Sequence, residues 1–360
     1  MSFYDFFVCK ITINHYNING ISSNAKIIQD FMKKNIKLIA VTGPTATGKT
    51  SLAVRLARTF NGEIISLDSR QLYRFMDIGS GKDIEEYGEI PYHLIDIAHP
   101  NEVFDLSKVI NKIQEAIDDI SARNKTVFLC GGTALYLESL LKKRILIPEE
   151  PDPQLRAELD KLDIEELTNL ITSEYPEAWA ALNADDRRNP LRIKRKIENA
   201  MKAPSAEKHT NIREWQDFDI LTLGVYLPRT VVRENIRRRL DARFEIGMID
   251  EIRQLHDREN VSWEKLERFG LEYREISLFL QGKCTETEMK TELLNKIRQF
   301  AKRQDIFFRK IERENFPIHW LDAQQDAFAE GCRLIDIFLR EETLPPPAFK
   351  LSDIKNSANL

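Results

Sequence analysis

Eight residues constrain this chain more than any others: Gly43-Pro44-Thr45-Ala46-Thr47-Gly48-Lys49-Thr50. The apolar run Leu38-Ile39-Ala40-Val41 precedes them. Ser51-Leu52-Ala53-Val54-Arg55-Leu56-Ala57 follows, with apolar residues at 52, 56 and 60. A strand, then G-x-x-x-x-G-K-T, then a helix is the layout of a loop that binds phosphate. Unpaired N–H groups at a helix N-terminus and the helix dipole both favour an anion there. Gly43 and Gly48 let the backbone wrap closely, Lys49 adds a mobile cation, and the Thr50 hydroxyl can ligate Mg2+. A purely structural glycine turn accounts for neither Lys49 nor Thr50.

The rest of the first half repeats the strand-and-helix alternation. Glu63-Ile64-Ile65-Ser66-Leu67-Asp68 reads as a second strand ending in a carboxylate, and Tyr92-His93-Leu94-Ile95-Asp96-Ile97 as a third. Leu106, Val109, Ile110, Ile113, Ile117 and Ile120 fall at helical spacing. Thr126-Val127-Phe128-Leu129-Cys130 is a further strand, closed by Gly131-Gly132-Thr133 before a helix carrying Leu135, Leu137, Leu140 and Leu141. Such alternation predicts an α/β fold, a P-loop-type parallel sheet flanked by helices. Ligands of these sheets bind beyond the carboxyl ends of the strands, so Asp68, Gly131-Gly132-Thr133 and the phosphate loop are expected to meet.

The texture then changes. Residues 1–31, rich in Asn and Ile, read as a poorly ordered N-terminal appendage to a core spanning 32–147. Pro148, Pro151 and Pro153 open a charged helical insertion over 148–210. Residues 211–342 return to the core through an apolar run at 220–227. Amphipathic helices follow over 230–313, and a last helix at about 325–340. The tail 343–360, opened by Pro345-Pro346-Pro347, is expected to be disordered.

Lys and Arg number 53 against 57 Asp and Glu, so no global field draws a polyanion and any such site must be local. Three basic clusters supply it. Arg187, Arg188, Arg192, Lys194, Arg195 and Lys196 form one; Arg229, Arg233, Arg237, Arg238, Arg239 and Arg243 the second. Lys296, Arg298, Lys302, Arg303, Arg309, Lys310 and Arg313 form the third. One cluster alone is an ordinary solvated helix face. Three of them downstream of a phosphate loop favour a polyanionic partner such as RNA. The four cysteines are scattered, without a C-x-x-C pair, which fits a reducing cytoplasm and argues against a disulfide framework or structural zinc. Neither a membrane span nor a signal peptide is read from the chain, so no membrane association is expected.

Taken in order, the motifs resemble one family. Gly43-Pro44-Thr45-Ala46-Thr47-Gly48-Lys49-Thr50 is followed by Asp68-Ser69-Arg70-Gln71-Leu72-Tyr73 and Met76-Asp77-Ile78-Gly79. Gly131-Gly132-Thr133-Ala134-Leu135-Tyr136 and Arg298-Gln299-Phe300-Ala301-Lys302-Arg303-Gln304 come next. From about residue 37 to His319-Trp320-Leu321-Asp322 the chain resembles the tRNA dimethylallyltransferases (tRNA isopentenyltransferases), as a divergent, bacterial-type member. The resemblance implies prenyl transfer from dimethylallyl diphosphate to the N6 amine of the adenosine 3′-adjacent to the anticodon. It also implies a requirement for Mg2+, a tRNA anticodon stem-loop as partner, and a monomer.

Residue by residue, the resemblance makes Asp68 the general base. It gives Thr45 and Thr50 contacts to the diphosphate, Thr50 through the metal. Arg243 would stabilise the leaving diphosphate; it lies one turn after Arg239, at the edge of the stripe Ile236, Leu240 and Phe244, so both arginines can face a pocket. Asp68, Ser69, Arg70 and Gln71 would recognise the adenosine. Thr133, Arg156, Arg192, Arg195, Arg298, Gln299, Lys302, Arg303 and Gln304 match positions that contact tRNA. The chain departs from the family pattern at Arg70 (usually Met), Glu272 (Gly), Ile297 (Thr) and Ile306-Phe307 (Thr-Trp), and about four residues are missing between Arg243 and Gly247. Two other readings of the residues stay open: a P-loop kinase of a small metabolite or nucleotide, and a tRNA-binding paralogue without catalysis.

Overall fold

The computed structural model describes residues 36–354 except 103, 105, 147–151, 185, 202–211 and 215–217. The N-terminal appendage, the boundary at Pro148 and Pro151, and residues 355–360 lie outside the described residues. The apolar run before the phosphate loop is β1 (Ile36–Thr42), and the loop feeds α1 (Lys49–Thr59). Then come β2 (Gly62–Ser66), β3 (Tyr92–His93), α2 (Leu106–Ala122), β4 (Thr126–Cys130), α3 (Ala134–Leu141) and β5 (Arg144–Leu146). The insertion holds α4 (Pro153–Leu159), α5 (Ile164–Glu174), α6 (Pro176–Ala180) and α7 (Pro190–Met201). β6 (Ile212–Glu214) and β7 (Phe218–Tyr226) lead to α8 (Arg229–Glu245), α9 (Met248–Asp257), α10 (Trp263–Phe269), α11 (Leu271–Leu280) and α12 (Glu286–Arg313). β8 (His319–Asp322) and α13 (Ala327–Leu339) follow.

Six strands form one parallel sheet in the order β3-β2-β4-β1-β7-β8. A parallel sheet is buried on both faces, which is why its strands are continuous apolar runs rather than alternating ones. Successive side chains of β1 enter different cores. Leu38 and Ala40 pack with Val109, Ile113 and Ile117 of α2, while Ile39 and Val41 pack with Leu52 and Leu56 of α1 and Leu334 of α13.

A third core gathers α8 to α11 against the first half of α12, through Ile236, Leu240, Ile252, Tyr273 and Leu293. α12 starts at a capping box, Thr285 with Glu288, and runs for 28 residues. At 1.5 Å per residue that is about 42 Å, long enough to serve two cores. Leu293 and Ile297 belong to the helical core, while Phe308 and Ile311 belong to the sheet core. The helix thereby fixes the helical lobe against the carboxyl ends of the strands.

Three expectations are corrected. The third strand is only Tyr92–His93, because Leu94 and Asp96 take φ of 62° and 58°, which no ladder accommodates. The buried ammonium of Lys82 accounts for this bend: it pairs with Asp77 and Asp96 and donates to the Tyr73 carbonyl at 2.7 Å. The tail is not disordered from residue 343. Leu351 is buried and its N–H donates to Glu312 Oε1 at 3.1 Å, while Phe349 meets Tyr226 edge-on, so the chain packs as far as Ile354. The apolar surface around Phe308 and Trp320 is what it covers. Finally, the insertion has its own small core (Leu159, Leu167, Ile171, Ile193, Ile197) and is flanked by an antiparallel pair, β5 with β6, that the sequence reading missed.

Candidate active site

The phosphate loop leaves β1 and turns into α1 at Gly48, whose φ of 85° suits glycine. Thr47 Oγ1 donates to the Pro44 carbonyl at 2.9 Å and closes the loop on itself. Beside it, β4 gives way to Gly131, where a Cβ would meet the Leu67 backbone at 2.6 Å; only glycine lets the two strand ends approach so closely. Asp68 follows Leu67. Its Oδ1 accepts the Arg70 N–H at 2.9 Å, which orients the carboxylate. Thr133 Oγ1 accepts the Ser69 N–H at 3.2 Å and ties the Gly131-Gly132-Thr133 turn to the Asp68 turn.

Gln304, buried on α12, completes the frame. Its Oε1 accepts the Thr45 N–H at 2.9 Å and its Nε2 donates to the Gly132 carbonyl at 3.4 Å. The amide of Gln71 is partly engaged as well: Oε1 accepts from Ser66 Oγ at 2.7 Å and Nε2 donates to the Gly81 carbonyl at 3.1 Å. One N–H and one lone pair remain for a ligand.

These residues enclose a cleft of about 380 Å3 lined by Thr45, Lys49, Thr50, Asp68, Arg239 and Arg243 among others. Burial pushes the Lys49 ammonium below its ordinary value, and Arg239 adds repulsion. Arg243 is likewise lowered, by burial first and by Arg239 second. The two guanidinium groups converge on Gly81, where a Cβ would clash with both. Arg239 is balanced by Asp83 at 2.7 Å. Arg243 makes no ion pair or hydrogen bond among the described residues. A half-buried cation left unpaired beside the phosphate-loop N–H groups that Gln304 does not occupy suits a polyanion. The connection after Arg243 is compact: α8 stops at Glu245, and Gly247, at φ of 100°, starts the next helix.

Not every residue singled out from the sequence reaches the cleft. Ser69, Arg70, Gln71, Thr133, Arg303 and Gln304 line it with Asp68. Arg298, Gln299 and Lys302 line a separate cavity on the other side of α12. Arg156 is held by Glu198, Nη2 to Oε2 2.6 Å, inside the insertion. Arg192 and Arg195 are exposed on α7, Arg192 lying 3.8 Å from Asp186.

Sequence reasoning missed what supports the site. Glu251 of α9 accepts the backbone N–H groups of Asp77, Ile78 and Gly79 at 2.5–3.0 Å and the Tyr273 hydroxyl at 3.1 Å. Burial raises its pKa even so, against those bonds. This carboxylate explains the Met76-Asp77-Ile78-Gly79 motif, which docks the helical lobe on the loop carrying Gly81. Phe300 and Phe307, each one turn after a buried residue, Ile297 and Gln304 respectively, give the cleft its apolar wall.

Fold and cleft together define an α/β protein of the P-loop type, with a seat for a phosphate-bearing ligand next to a strand-end carboxylate. The chain belongs to the IPP transferase family, whose model matches residues 71–311. It is 41% identical over 298 residues to a protein of Trichlorobacter lovleyi named tRNA dimethylallyltransferase 2, covering 83% of this chain and 96% of that one. The crystal structure of the full-length tRNA isopentenylpyrophosphate transferase from Bacillus halodurans is similar too. It shows 32% identity and a TM-score of 0.60, over 85% of this chain and 96% of that one. A eukaryotic dimethylallyltransferase acting on tRNA shares the fold, at 24% identity and a TM-score of 0.70 over 86% of this chain and 81% of that one.

Proposed function

We propose that this chain transfers a dimethylallyl group from dimethylallyl diphosphate to the N6 amine of the adenosine on the 3′ side of a tRNA anticodon. The adenosine leaves its stack, at a cost of a few kcal/mol that is smallest in an unpaired loop, and enters the cleft beside Asp68. The N6 lone pair attacks C1 of the prenyl group, and the C1–O bond breaks with its electron pair leaving on the diphosphate. The N6 proton passes to the Asp68 carboxylate. The N–H groups of the phosphate loop, Lys49, Arg239 and Arg243 hold the charge that develops on the departing oxygens. Ser69, Arg70 and Gln71 flank the base, Thr133 and Arg303 hold the RNA backbone, and the insertion with Arg156, Arg192 and Arg195 grips the stem-loop.

A magnesium ion fits this site as a partner of the diphosphate rather than as a protein-caged ion. Among the described residues no cluster of three carboxylate, His or Cys side chains could hold a metal, whereas Thr50 lines the cleft. Mg2+ takes few protein oxygens and completes its shell with phosphate oxygens and water. When bound it would neutralise charge on the diphosphate. The enzyme acts as a monomer in the cytoplasm; no helix among the described residues is long and apolar enough to cross a membrane.

The observation that carries the proposal is the meeting of Asp68, the phosphate loop and the unpaired Arg243 in one cleft. Labelled dimethylallyl diphosphate incubated with bulk tRNA, beside ATP with candidate metabolites, tests it. Label appearing in tRNA is the expected result; nucleotide turnover without RNA label would overturn it in favour of a kinase.

A further inference from the structure

Residues 76–83 link the two lobes, and each lobe holds one end of them. From the helical side the Glu251 carboxylate takes the Asp77, Ile78 and Gly79 N–H groups, and the buried Met76 packs among the helices. Toward the sheet, the Lys82 ammonium reaches Asp96 and the Tyr73 carbonyl. Between these anchors the segment closes on itself. The Gly81 N–H donates to the Asp77 and Ile78 carbonyls at 3.0 and 3.2 Å, and the Lys82 N–H to the Asp77 carbonyl at 3.2 Å. It is a single tight turn whose leading N–H groups all point at one carboxylate. Apolar residues of similar volume would dock the lobes at a lower desolvation cost. What the carboxylate adds is a fixed place for the turn.

That place matters at Gly81. Its carbonyl accepts Gln71 Nε2 at 3.1 Å and Arg239 Nη2 at 3.5 Å. Asp83, two residues on, takes Arg239 at 2.7 Å. Gly81, at φ of 66°, also lies against both guanidinium groups: a Cβ there would meet Arg243 Nη2 at 1.7 Å and Arg239 Nη2 at 2.5 Å. Gln71 follows β2 and Arg239 stands on α8, yet one backbone carbonyl in the cleft orients both. Gln71 cannot turn freely, because Ser66 Oγ donates to its Oε1 at 2.7 Å while its Nε2 holds the carbonyl.

We propose that Glu251 is a positioning residue for the transfer. Through the turn at 77–81 it sets the Gly81 carbonyl, which aims Gln71 at the base and Arg239 at the leaving group and so registers the two subsites against each other. The inference rests on the reading of the cleft as a prenyl-transfer site, and adds to it a residue that lies outside the cleft lining. Without the carboxylate the turn drifts, and the amide and the guanidinium lose their common reference. A misplacement of about 1 Å costs on the order of 100-fold in rate, so a small drift is enough.

Glu251→Gln keeps the shape but turns one acceptor into a donor that faces backbone N–H groups. It is expected to lower kcat/KM on the order of 30-fold, for dimethylallyl diphosphate and for an anticodon stem-loop alike. Glu251→Asp, which keeps the charge, should recover part of the loss. Glu312→Gln is the control. Glu312 is also a buried carboxylate that accepts N–H groups, those of Trp320 and Leu351, and it should lose stability without the kinetic change. In a Gln71→Leu background, Glu251→Gln should cost the stem-loop constant about tenfold less than in the wild type, because the amide it serves is gone. Independent, multiplying losses would overturn the proposal, as would a loss confined to stability or to one substrate.

Should Glu251→Gln not fold, hydrogen exchange on the wild type decides. The amides of residues 77–79 and 81 should exchange more slowly with inorganic pyrophosphate alone and with the stem-loop alone. Slowing by one ligand only, or by neither, would overturn the proposal. Wild-type protein that transfers no label to the stem-loop sinks the functional reading and this inference with it. Normal transfer by Glu251→Gln sinks this inference alone.

Discussion

Arg70 and Glu272 face each other at the cleft, guanidinium nitrogen to carboxylate oxygen 3.9 Å apart. The resemblance leads one to expect Met and Gly at these two positions, and the residues that stand there instead meet in space. Arg70 Nε donates to the Phe269 carbonyl at 2.8 Å, and its guanidinium lies over the Phe300 ring. Glu272 is buried, and its Oε2 has no hydrogen-bond donor. Removing Arg70 alone therefore strands a buried carboxylate, and removing Glu272 alone frees a guanidinium in the cleft. Arg70→Met and Glu272→Gly should each lower kcat/KM for tRNA, and the double variant should recover part of the loss. A cycle of the three variants is expected to show a coupling of about 1 kcal/mol; strictly additive effects would refute a functional pair.

Asp68→Asn keeps the shape and the acceptor that orients the turn but removes the base. The single-turnover rate should fall at least ~100-fold while tRNA affinity holds. A rate within a few-fold of wild type would remove Asp68 from the proton path.

Arg243 is expected to act on function and stability in opposite directions. Burial and Arg239 both disfavour its charge in the free protein. Arg243→Gln should therefore leave the melting temperature unchanged or higher, while lowering the transfer rate on the order of 100-fold. A marked loss of stability with normal transfer would show that the side chain is structural.

Gln304→Ala leaves the Thr45 N–H without its acceptor and opens a gap between the phosphate loop and Gly132. The expected cost is about 1–3 kcal/mol of stability, with KM for the prenyl donor rising more than KM for tRNA. Denaturant unfolding and steady-state kinetics on both substrates decide it.

On β2, Glu63 is brought down from the usual 4.5 to about 2, first by the hydrogen bonds of Arg123 and further by His93 at 2.8 Å. A carboxyl with a depressed folded pKa stabilises the fold above its unfolded value and loses that contribution as pH falls. The stability gap between wild type and Glu63→Gln should be complete above about pH 4.5 and shrink toward pH 2. A gap that stays constant over that window would mean the ion pair contributes nothing.

The phosphate loop with its flanking strand and helix was legible because its information is local: spacing, two glycines, Lys49 and Thr50. The approach of Asp68 to Gly131 followed from a general property of parallel sheets. What stayed hidden depends on long-range contact. Gln304 meets Thr45 across 259 positions, and nothing in either neighbourhood announces the bond. The basic stretch on α12 looked like one RNA-binding surface, but the turn of the helix divides Lys302 from Arg303. The tail looked disordered because prolines and polar residues dominate it, and Leu351 with Phe349 was too short an apolar signal to outweigh them. Glu251 resembled any surface carboxylate of an amphipathic helix until three backbone N–H groups were found around it.

Arg239 and Arg243, which converge on Gly81 in the cleft, also bear on the end of the catalytic cycle. On the proposed mechanism, a cradle that holds the leaving group before bond cleavage also holds inorganic pyrophosphate afterwards. Product escape then competes with the arrival of fresh donor for one seat, and the concentration of free pyrophosphate in the cell becomes a throttle on how quickly each tRNA is finished.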